Sequence, residues 1–594
     1  MWYNLQNVLA HILSMLTNPI SRIFRNVSFS QLLEYELKKS TYYLIGFALS
    51  AAYTLHLFPL DFFIGTNGFW IDTRSDPTQH ITGMWAFVND RWHFPLLYTQ
   101  LLNFPEGVSV AFTDSIPLAA IPFKLIHHWL PEGSHYFGVW VAACYLLQGV
   151  TGGYAMTLVS GHQLKGAIFG SLFVLMMPAL MIRVPHAALM AQFMLLLSIT
   201  WYARLSLGQL SNVNFIQRSL VLLLAASLIH PYFIAMLYPI FFASLLSHFF
   251  QKRLSALMLV SGLASALVLI FLSFYCVGYI SLRNGLPPLD GGFENSSMNL
   301  ASPFLGTHLA SSALIPPLGL TLDATGGQID GHNYFGLGLW CMLLYLLISK
   351  RQHLATFVKT HWVFIALMFG FFAYSLSSAV YLFDKLVLHY ALPDIILPIT
   401  KIFRGSGRFF WPVGYALLLT SLLVFLASRR KRSLLLMTAL LALQFVDTAQ
   451  HRAYLTEASS RAPYYGYPAP GWDSLVKEAK TVYMLPAYGC GASHPDALFL
   501  QYFTARHGVP FNTGFIARIH SDCVEKDQAP RLHANTGNLF VFLKANYTQA
   551  EIEKFFDGNV HNWCRTHPIG TVCLIGSHET QWEKIDERMF KTMQ

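Results

Sequence analysis

Apolar runs long enough to cross a bilayer recur along most of this sequence, and no other feature constrains its fold as tightly. They lie near 41–60, 136–160, 164–182, 187–207, 254–278, 334–349, 360–379, 410–428 and 433–448, while 219–250 is long enough for two short passes broken at His230-Pro231-Tyr232. Roughly 20 apolar residues span the ~30 Å hydrocarbon layer. The expected fold is therefore a polytopic α-helical membrane protein with about eleven transmembrane helices. Composition agrees: 54% of the 594 residues are hydrophobic, 12% are charged, and the mean hydropathy is +0.44. Soluble proteins carry roughly 25% charged residues. A formal charge of +9 would suit a nucleic-acid binder in a soluble chain. Here the basic residues fall between apolar runs, so topology accounts for them; the lipid bilayer is the expected partner and nucleic acid is not.

Those basic residues orient the chain. With the N-terminus in the cytoplasm beside Arg22, Arg25, Lys38 and Lys39, the later cytoplasmic turns hold Lys165, then Arg204 and Arg218, then Lys252-Arg253, Lys350-Arg351 and Arg429-Arg-Lys-Arg432. Every basic cluster short enough to count falls on one side. The loop 61–135 and the tail after Asp447 then face outward, into the periplasm if the membrane is a bacterial inner membrane. Residues 1–40 read as a cytoplasmic or interfacial segment, 41–448 as the transmembrane domain and 449–594 as an outer domain. Met1 to Arg25 reads as a short helix on the membrane surface with no small-residue cleavage site after it, so the first span serves as the targeting signal.

Within the outward loop, 80–91 and 116–130 are apolar but short, and read as helices lying along the outer interface, the second capped by Asp114 and Ser115. A span at 116–130 would put every later basic cluster outside. The tail changes character. It has strand-like runs at Thr481–Leu485, Asn538–Leu543 and Thr571–Ile575, and a capping box at Thr548 and Glu551, the pattern of a small α/β domain. Cys490, Cys523, Cys564 and Cys573 all belong to it, whereas Cys144, Cys276 and Cys341 lie in apolar runs. Four cysteines outside the membrane predict two disulfides with three possible pairings, the preferred local pair being Cys564–Cys573 from a helix exit to a strand. A zinc site ranks lower because no Cys-x-x-Cys is present.

Polar chemistry concentrates in Phe69-Trp-Ile-Asp72-Thr-Arg-Ser-Asp76-Pro-Thr-Gln-His80, just after the first apolar run. Asp72 and Asp76 would ordinarily solvate and cap the helix that Pro77 opens. Their context points further: a first outward loop, a Trp-bearing interfacial helix after it, many spans and an external domain. That arrangement resembles the GT-C superfamily of integral-membrane glycosyltransferases, which carry an acidic residue in the first external loop, then juxtamembrane helices, then a helical bundle. Asp76 matches by its place before the juxtamembrane helix. The superfamily's acidic pair is often Asp-x-Asp or Glu-x-Asp, whereas Asp72 and Asp76 are four apart. The resemblance implies transfer of a sugar from a polyprenyl-phosphate donor to a glycan, lipid or protein acceptor. Asp76 would be the general base, with Asp72 and His80, one turn on, supporting it.

A second segment, Lys401-Ile-Phe-Arg404-Gly-Ser-Gly-Arg408-Phe-Phe-Trp, puts basic residues at an outward mouth, against the charge rule. Snorkelling accounts for Lys401. For Arg404 and Arg408, the intervening Gly-Ser-Gly would let backbone amides and guanidinium forks converge on one phosphate. Lys124 is a further donor-binding candidate, because related enzymes carry a basic residue on the corresponding helix. His186, after Pro185, joins the donor-binding set, and His230, before Pro231, falls at a similar outward end of a span. The glycine-rich outward loop 280–333 suits a lid.

No dedicated metal site is evident; a pyrophosphate donor would call for Mg²⁺ or Mn²⁺ on the two carboxylates, and a monophosphate donor for none. No Walker motif, His-Glu-x-x-His or Gly-x-Ser-x-Gly is present, which removes support for ATP-driven transport and zinc proteolysis. Two alternatives to the transferase are a lipid-linked saccharide carrier or flippase and a non-catalytic subunit of a polysaccharide-export complex. The carrier predicts charge deep in the spans, where this sequence has little.

Overall fold

The computed structural model describes residues 29–280, 292–306, 311–316, 319–428, 431–517, 535–556, 563–578 and 591–592, together with Cys523, Trp582 and Ile585. The surface helix expected at Met1–Arg25 and the Pro287–Asp290 part of the lid loop lie outside these residues.

In chain order the helical part runs α1 (Lys39–Leu57), α2 (Asp76–Asn89), α3 (Pro117–Ile126), α4 (Phe137–Ser160), α5 (Leu164–Leu175), α6 (Phe193–Ser206), α7 (Asn212–Ser227), α8 (Pro231–Phe250), α9 (Ala256–Val277), α10 (Leu337–Ser349), α11 (Trp362–Leu376), α12 (Trp411–Ala427), α13 (Lys431–Asp447) and α14 (Ala449–Ala458), with shorter turns between. A helix stands at every apolar run, but a clear count of eleven spans does not emerge. Among the described residues, four helices are long and apolar enough to cross a membrane: Ala187–Ser206, Pro231–Phe250, Ala256–Val277 and Ser406–Ala427. A fifth results if α13 and α14, bent by 44°, form one span. The helices α5, α10 and α11 are apolar but hold only 12, 13 and 15 residues. At 1.5 Å per residue each reaches roughly 18–23 Å, short of a ~30 Å layer by itself. Chain breaks explain part of this: α5 ends at Leu175 and Pro178 opens a separate turn, Pro178–Met181.

Small residues let the helices approach closely. A Cβ on Gly152 of α4 would lie 2.2 Å from the Gly170 carbonyl of α5, and one on Gly170 would lie 2.6 Å from the Gly152 carbonyl. No larger side chain fits between these backbones.

The segment expected to lie along the outer interface divides in two. From Pro77 to Val88 every residue of α2 is buried. Its polar positions are taken up by the tail: Gln501 Nε2 donates to Thr82 Oγ1 (2.7 Å), Asn89 Nδ2 to the Ala505 carbonyl (2.8 Å) and Gln79 Nε2 to the Phe515 carbonyl (2.8 Å). So α2 is roofed by the C-terminal part instead of resting on a lipid surface. By contrast α3 and the turn after it do expose Leu118, Leu125, Ile126 and Trp129.

That roof comprises α15 (Trp472–Glu478), β1 (Thr481–Leu485), α16 (His494–His507), β2 (Asn538–Leu543), α17 (Gln549–Phe555), β3 (Cys564–His567), β4 (Gly570–Leu574) and β5 (Lys591–Thr592). The sheet order is β1-β2-β4-β3-β5, with β1 parallel to β2 and the remaining pairs antiparallel. Both faces are covered, which is why β1 and β2 read as unbroken apolar runs. Tyr483, Leu485, Phe540 and Phe542 pack with Ile552 and Phe556, whereas Val482, Met484, Leu539 and Val541 join the main core. The predicted capping box at Thr548 and Glu551 opens α17. Two disulfides staple this part, Cys490–Cys523 and Cys564–Cys573. The local pair was expected at a helix exit; it joins directly paired residues of β3 and β4, because Cys564 begins a strand.

Candidate functional site

Five polar side chains from four separate stretches meet where helices end beneath the C-terminal roof. Asp76 is the first residue of α2; no side-chain cap forms there, so it is not serving as the helix cap that its place before Pro77 suggested. Its Oδ2 lies 3.6 Å from His186 Nε2, and its side chain is 45% exposed. His80, one turn on, does not turn back to Asp76. Its Nε2 lies 3.6 Å from Asp114 Oδ2, and the ring is 1% exposed. The other Asp114 oxygen is 3.3 Å from His230 Nε2.

Asp114 was expected to cap the interfacial helix and does not. Ile116 precedes α3 with no side-chain cap, and Asp114 itself sits at φ 54° in the left-handed region at the end of the turn Val110–Thr113. Gly83 permits this: a Cβ there would lie 1.9 Å from Thr113 Oγ1, so only glycine lets the turn press against α2 and bring Asp114 under His80. His230 is fixed in turn. Its Nδ1 accepts the Tyr232 backbone N–H (3.2 Å), which leaves the neutral ring's proton on Nε2, facing Asp114.

The electrostatics follow. Burial opposes the charge on Asp114, but His230, by charge and hydrogen bond, and then His80 and His186 outweigh it and hold the carboxyl well below its usual range. Burial lowers His80, against the pull of Asp114 and Asp76. Burial also lowers His186, to about 4. Both ring nitrogens of His80 are buried without a hydrogen-bond partner among the described residues. Donor atoms of His80, Asp114 and His186 all lie within 4.8 Å of one another, a grouping that could hold a metal ion.

Beside these lies an arginine pair. Arg183 and Arg408 both bind Asp330: Arg183 Nη1 engages Oδ1, and Arg408 Nη2 engages Oδ2 at 2.8 Å. Arg183 also donates to the Ile329 carbonyl (2.9 Å), and Arg408 lies over the Tyr232 ring at 4.8 Å. Two guanidinium groups on one carboxylate leave an excess positive charge, and the Nε atoms of both arginines have no partner. The charges of Arg408, Asp330 and Arg183 all act on His186, so the pair adjoins the carboxylate–histidine cluster. Asp330 is held well below its usual range: burial resists, and Arg408 and then Arg183 win.

The other expected residues fall elsewhere. Both Asp72 oxygens bind Arg74, at 2.9 and 2.8 Å, and Arg74 stacks 3.8 Å over Tyr464. Asp72 therefore pins the turn before α2 to the segment after α14. Lys124 Nζ lies over Phe87 and Trp92 and donates to the Arg91 carbonyl (3.2 Å); burial lowers it to about 8. It joins neither cluster. Arg404 is exposed, and its charge, like that of Asp76, reaches Tyr488 of the roof. The Gly405-Ser406-Gly407 amides do not converge on an empty point: they bind Tyr232 OH (2.7 Å), the Arg404 carbonyl (2.8 Å) and the Ser296 carbonyl (3.1 Å). This stretch positions Arg408 and is not itself an anion nest.

Asp114, Arg183 and Asp330 were not singled out for chemistry by the sequence. Asp114 resembled a cap, Arg183 trails an apolar run, and Asp330 lies in a loop without periodicity. The one available signal was an arginine at the end of an apolar run, Arg183, three residues before His186.

The DUF6311 family, a domain of unknown function, matches residues 47–449, and the DUF6311 C-terminal domain matches residues 471–568. No curated protein matches the chain. The first match covers more than half of the sequence, and the protein belongs to the DUF6311 family.

Proposed function

We propose that the protein is a multi-pass glycosyltransferase of GT-C type in a bacterial inner membrane, moving a sugar from a polyprenyl-phosphate donor to a glycan, lipid or protein acceptor on the outer side. The observation that carries this reading is the partly exposed Asp76 carboxylate, paired with His186 and adjoining the Arg183–Arg408 pair. An inverting displacement needs one group to take the acceptor proton as its oxygen attacks the anomeric carbon, and cations to hold the departing phosphate. Asp76 is the base. Arg408 and Arg404 hold the phosphate, with Arg183 joining them, and His186 orients Asp76. Asp72 and Lys124 serve the fold in this account. The elements that supply the cluster sit at the loops that the charge rule turns outward, and the disulfides suit an oxidising compartment. The eleven-pass topology, with the N-terminus in the cytoplasm and the roof in the periplasm, belongs to the same proposal.

The test is release of polyprenyl phosphate from polyprenyl-phosphate hexoses by the purified protein in lipid vesicles. Turnover by the wild type and a raised donor KM in Arg404→Ala, with kcat less affected, are the expected results. Absence of turnover with any such donor, in the presence of acceptor-containing membrane extract, would overturn the proposal.

A further inference from the structure

We propose that His80, His186 and Asp114 form a binding site for an imidazole-preferring divalent ion of the Zn²⁺ class, oriented from behind by His230. This goes beyond the transferase reading: only the ion's use in catalysis rests on that reading, while its binding does not.

The case begins with His80. A ring that is 1% exposed, with both nitrogens lacking a hydrogen-bond partner, normally costs stability unless something else occupies the donor atoms. Its Nε2 faces Asp114 Oδ2 at 3.6 Å, too far for a good hydrogen bond. That spacing is what one shared ion requires, since tetrahedral donors at ~2.0–2.2 Å from a metal lie about 3.3–3.6 Å apart. His186 completes a set whose donor atoms lie within 4.8 Å of one another, so a small closing movement brings all three onto one ion.

Asp114 is prepared for that role. His230 donates to Oδ1 and is itself fixed by the Tyr232 N–H, so Oδ2 is the oxygen left for the ion. A ligating carboxylate held by a hydrogen bond from behind is the usual supporting arrangement in metal sites. Two imidazoles and one carboxylate favour Zn²⁺ over Mg²⁺, which prefers all-oxygen cages, so the site differs from the carboxylate pair that the sequence offered. Three protein ligands also leave a coordination position free, as catalytic zinc sites do. Asp76, next to His186, remains outside the set and available as a base.

The test uses untagged full-length protein in detergent, stripped with a chelator and dialysed against Zn²⁺, with Co²⁺ as a spectroscopic probe. One Zn²⁺ per chain is expected, together with a Co²⁺ visible spectrum of low coordination number. A roughly hundredfold excess of Mg²⁺ should not displace the ion. His80→Ala and His186→Ala should each weaken binding by more than about tenfold, and His230→Ala by roughly 10- to 100-fold. His186 is 24% exposed, so its variant remains informative if the one at buried His80 fails to fold. Failure of the wild type to bind one Zn²⁺, displacement by Mg²⁺, or unchanged affinity in folded His186→Ala would overturn the proposal. Zinc binding without sugar transfer would count against the transferase alone.

Discussion

The carboxylate centres at Asp447 and at Asp114, each beside histidines, differ in a way that separates a structural centre from a candidate site. In the inner centre, Asp447 is fully buried. Its Oδ1 accepts the Ser312 hydroxyl, and its Oδ2 accepts Tyr334 OH (2.8 Å) and the Leu337 N–H (2.9 Å). The nearby imidazoles, His332 and His451, pair with each other at 3.1 Å. That carboxylate ties the end of α13 to the start of α10. In the outer centre, Asp76 and Asp114 are 45% and 29% exposed, and neither ring nitrogen of His80 has a hydrogen-bond partner among the described residues. Both Asp447 oxygens meet donors and hold the fold, although the Nδ1 atoms of His332 and His451 lack a partner among the described residues; around His80 both ring nitrogens lack one, and polar atoms that face each other across a gap can receive a ligand.

The sharpest way to break the comparison is to cut the link beside the outer centre. Arg183→Ala leaves the half-buried Asp330 with Arg408 alone and should cost about 3 kcal/mol, seen as a large fall in thermal midpoint. If Arg183→Ala melts like the wild type, the pair is solvated in the native state and not the buried element described here.

Acid should act near the outer centre through a further histidine, His135, which is 6% exposed. Its Nε2–H donates to the Gly65 carbonyl (3.0 Å) and its Nδ1 accepts the Phe137 N–H, and burial lowers it to about 4. The unfolded chain takes up a proton below pH 6.5 while the folded ring stays neutral. Stability is therefore full above pH 6.5, falls as the pH drops towards 4, and levels off below that. The loss is on the order of 3 kcal/mol. Thermal melts across this range, with His135→Gln removing that share of the slope, check the sign and size.

At the inner centre, Asp447→Asn should cost about 2–3 kcal/mol, because an amide nitrogen replaces an acceptor that faces donors. The melt should fall while any transfer by the folded fraction persists. An effect of similar size, but confined to one part of the molecule, belongs to the roof. Opening Cys564–Cys573, which closes a short loop of separation 9, should cost about 2–3 kcal/mol, lost from the C-terminal sheet alone. Hydrogen exchange in β3 and β4 under reducing conditions measures it.

How much of this was legible depended on range. Periodicity and length are local, so every apolar run became a helix, and the tail's strands and its Thr548 cap stood where the sequence put them. The span count was less legible, because local hydropathy does not show where α5 and α10 stop. At the site, Asp76 and Arg408 carried local signals: a break before a helix, and a cation on the wrong side. Asp114 carried the signal of a cap, and its true neighbours, His80 and His230, are 34 and 116 residues away in sequence. Nothing local announces that Gly83 lets a turn approach α2, or that Asp330 will lie between two arginines.

The most direct test of the central claim is Asp76→Asn in the host, at matched protein level and thermal midpoint, scored by the composition of surface glycans and glycoproteins. The account predicts that one sugar disappears, with transfer down by about 10²- to 10⁴-fold, while Asp72→Asn leaves it in place. Retention of that sugar in Asp76→Asn would contradict it.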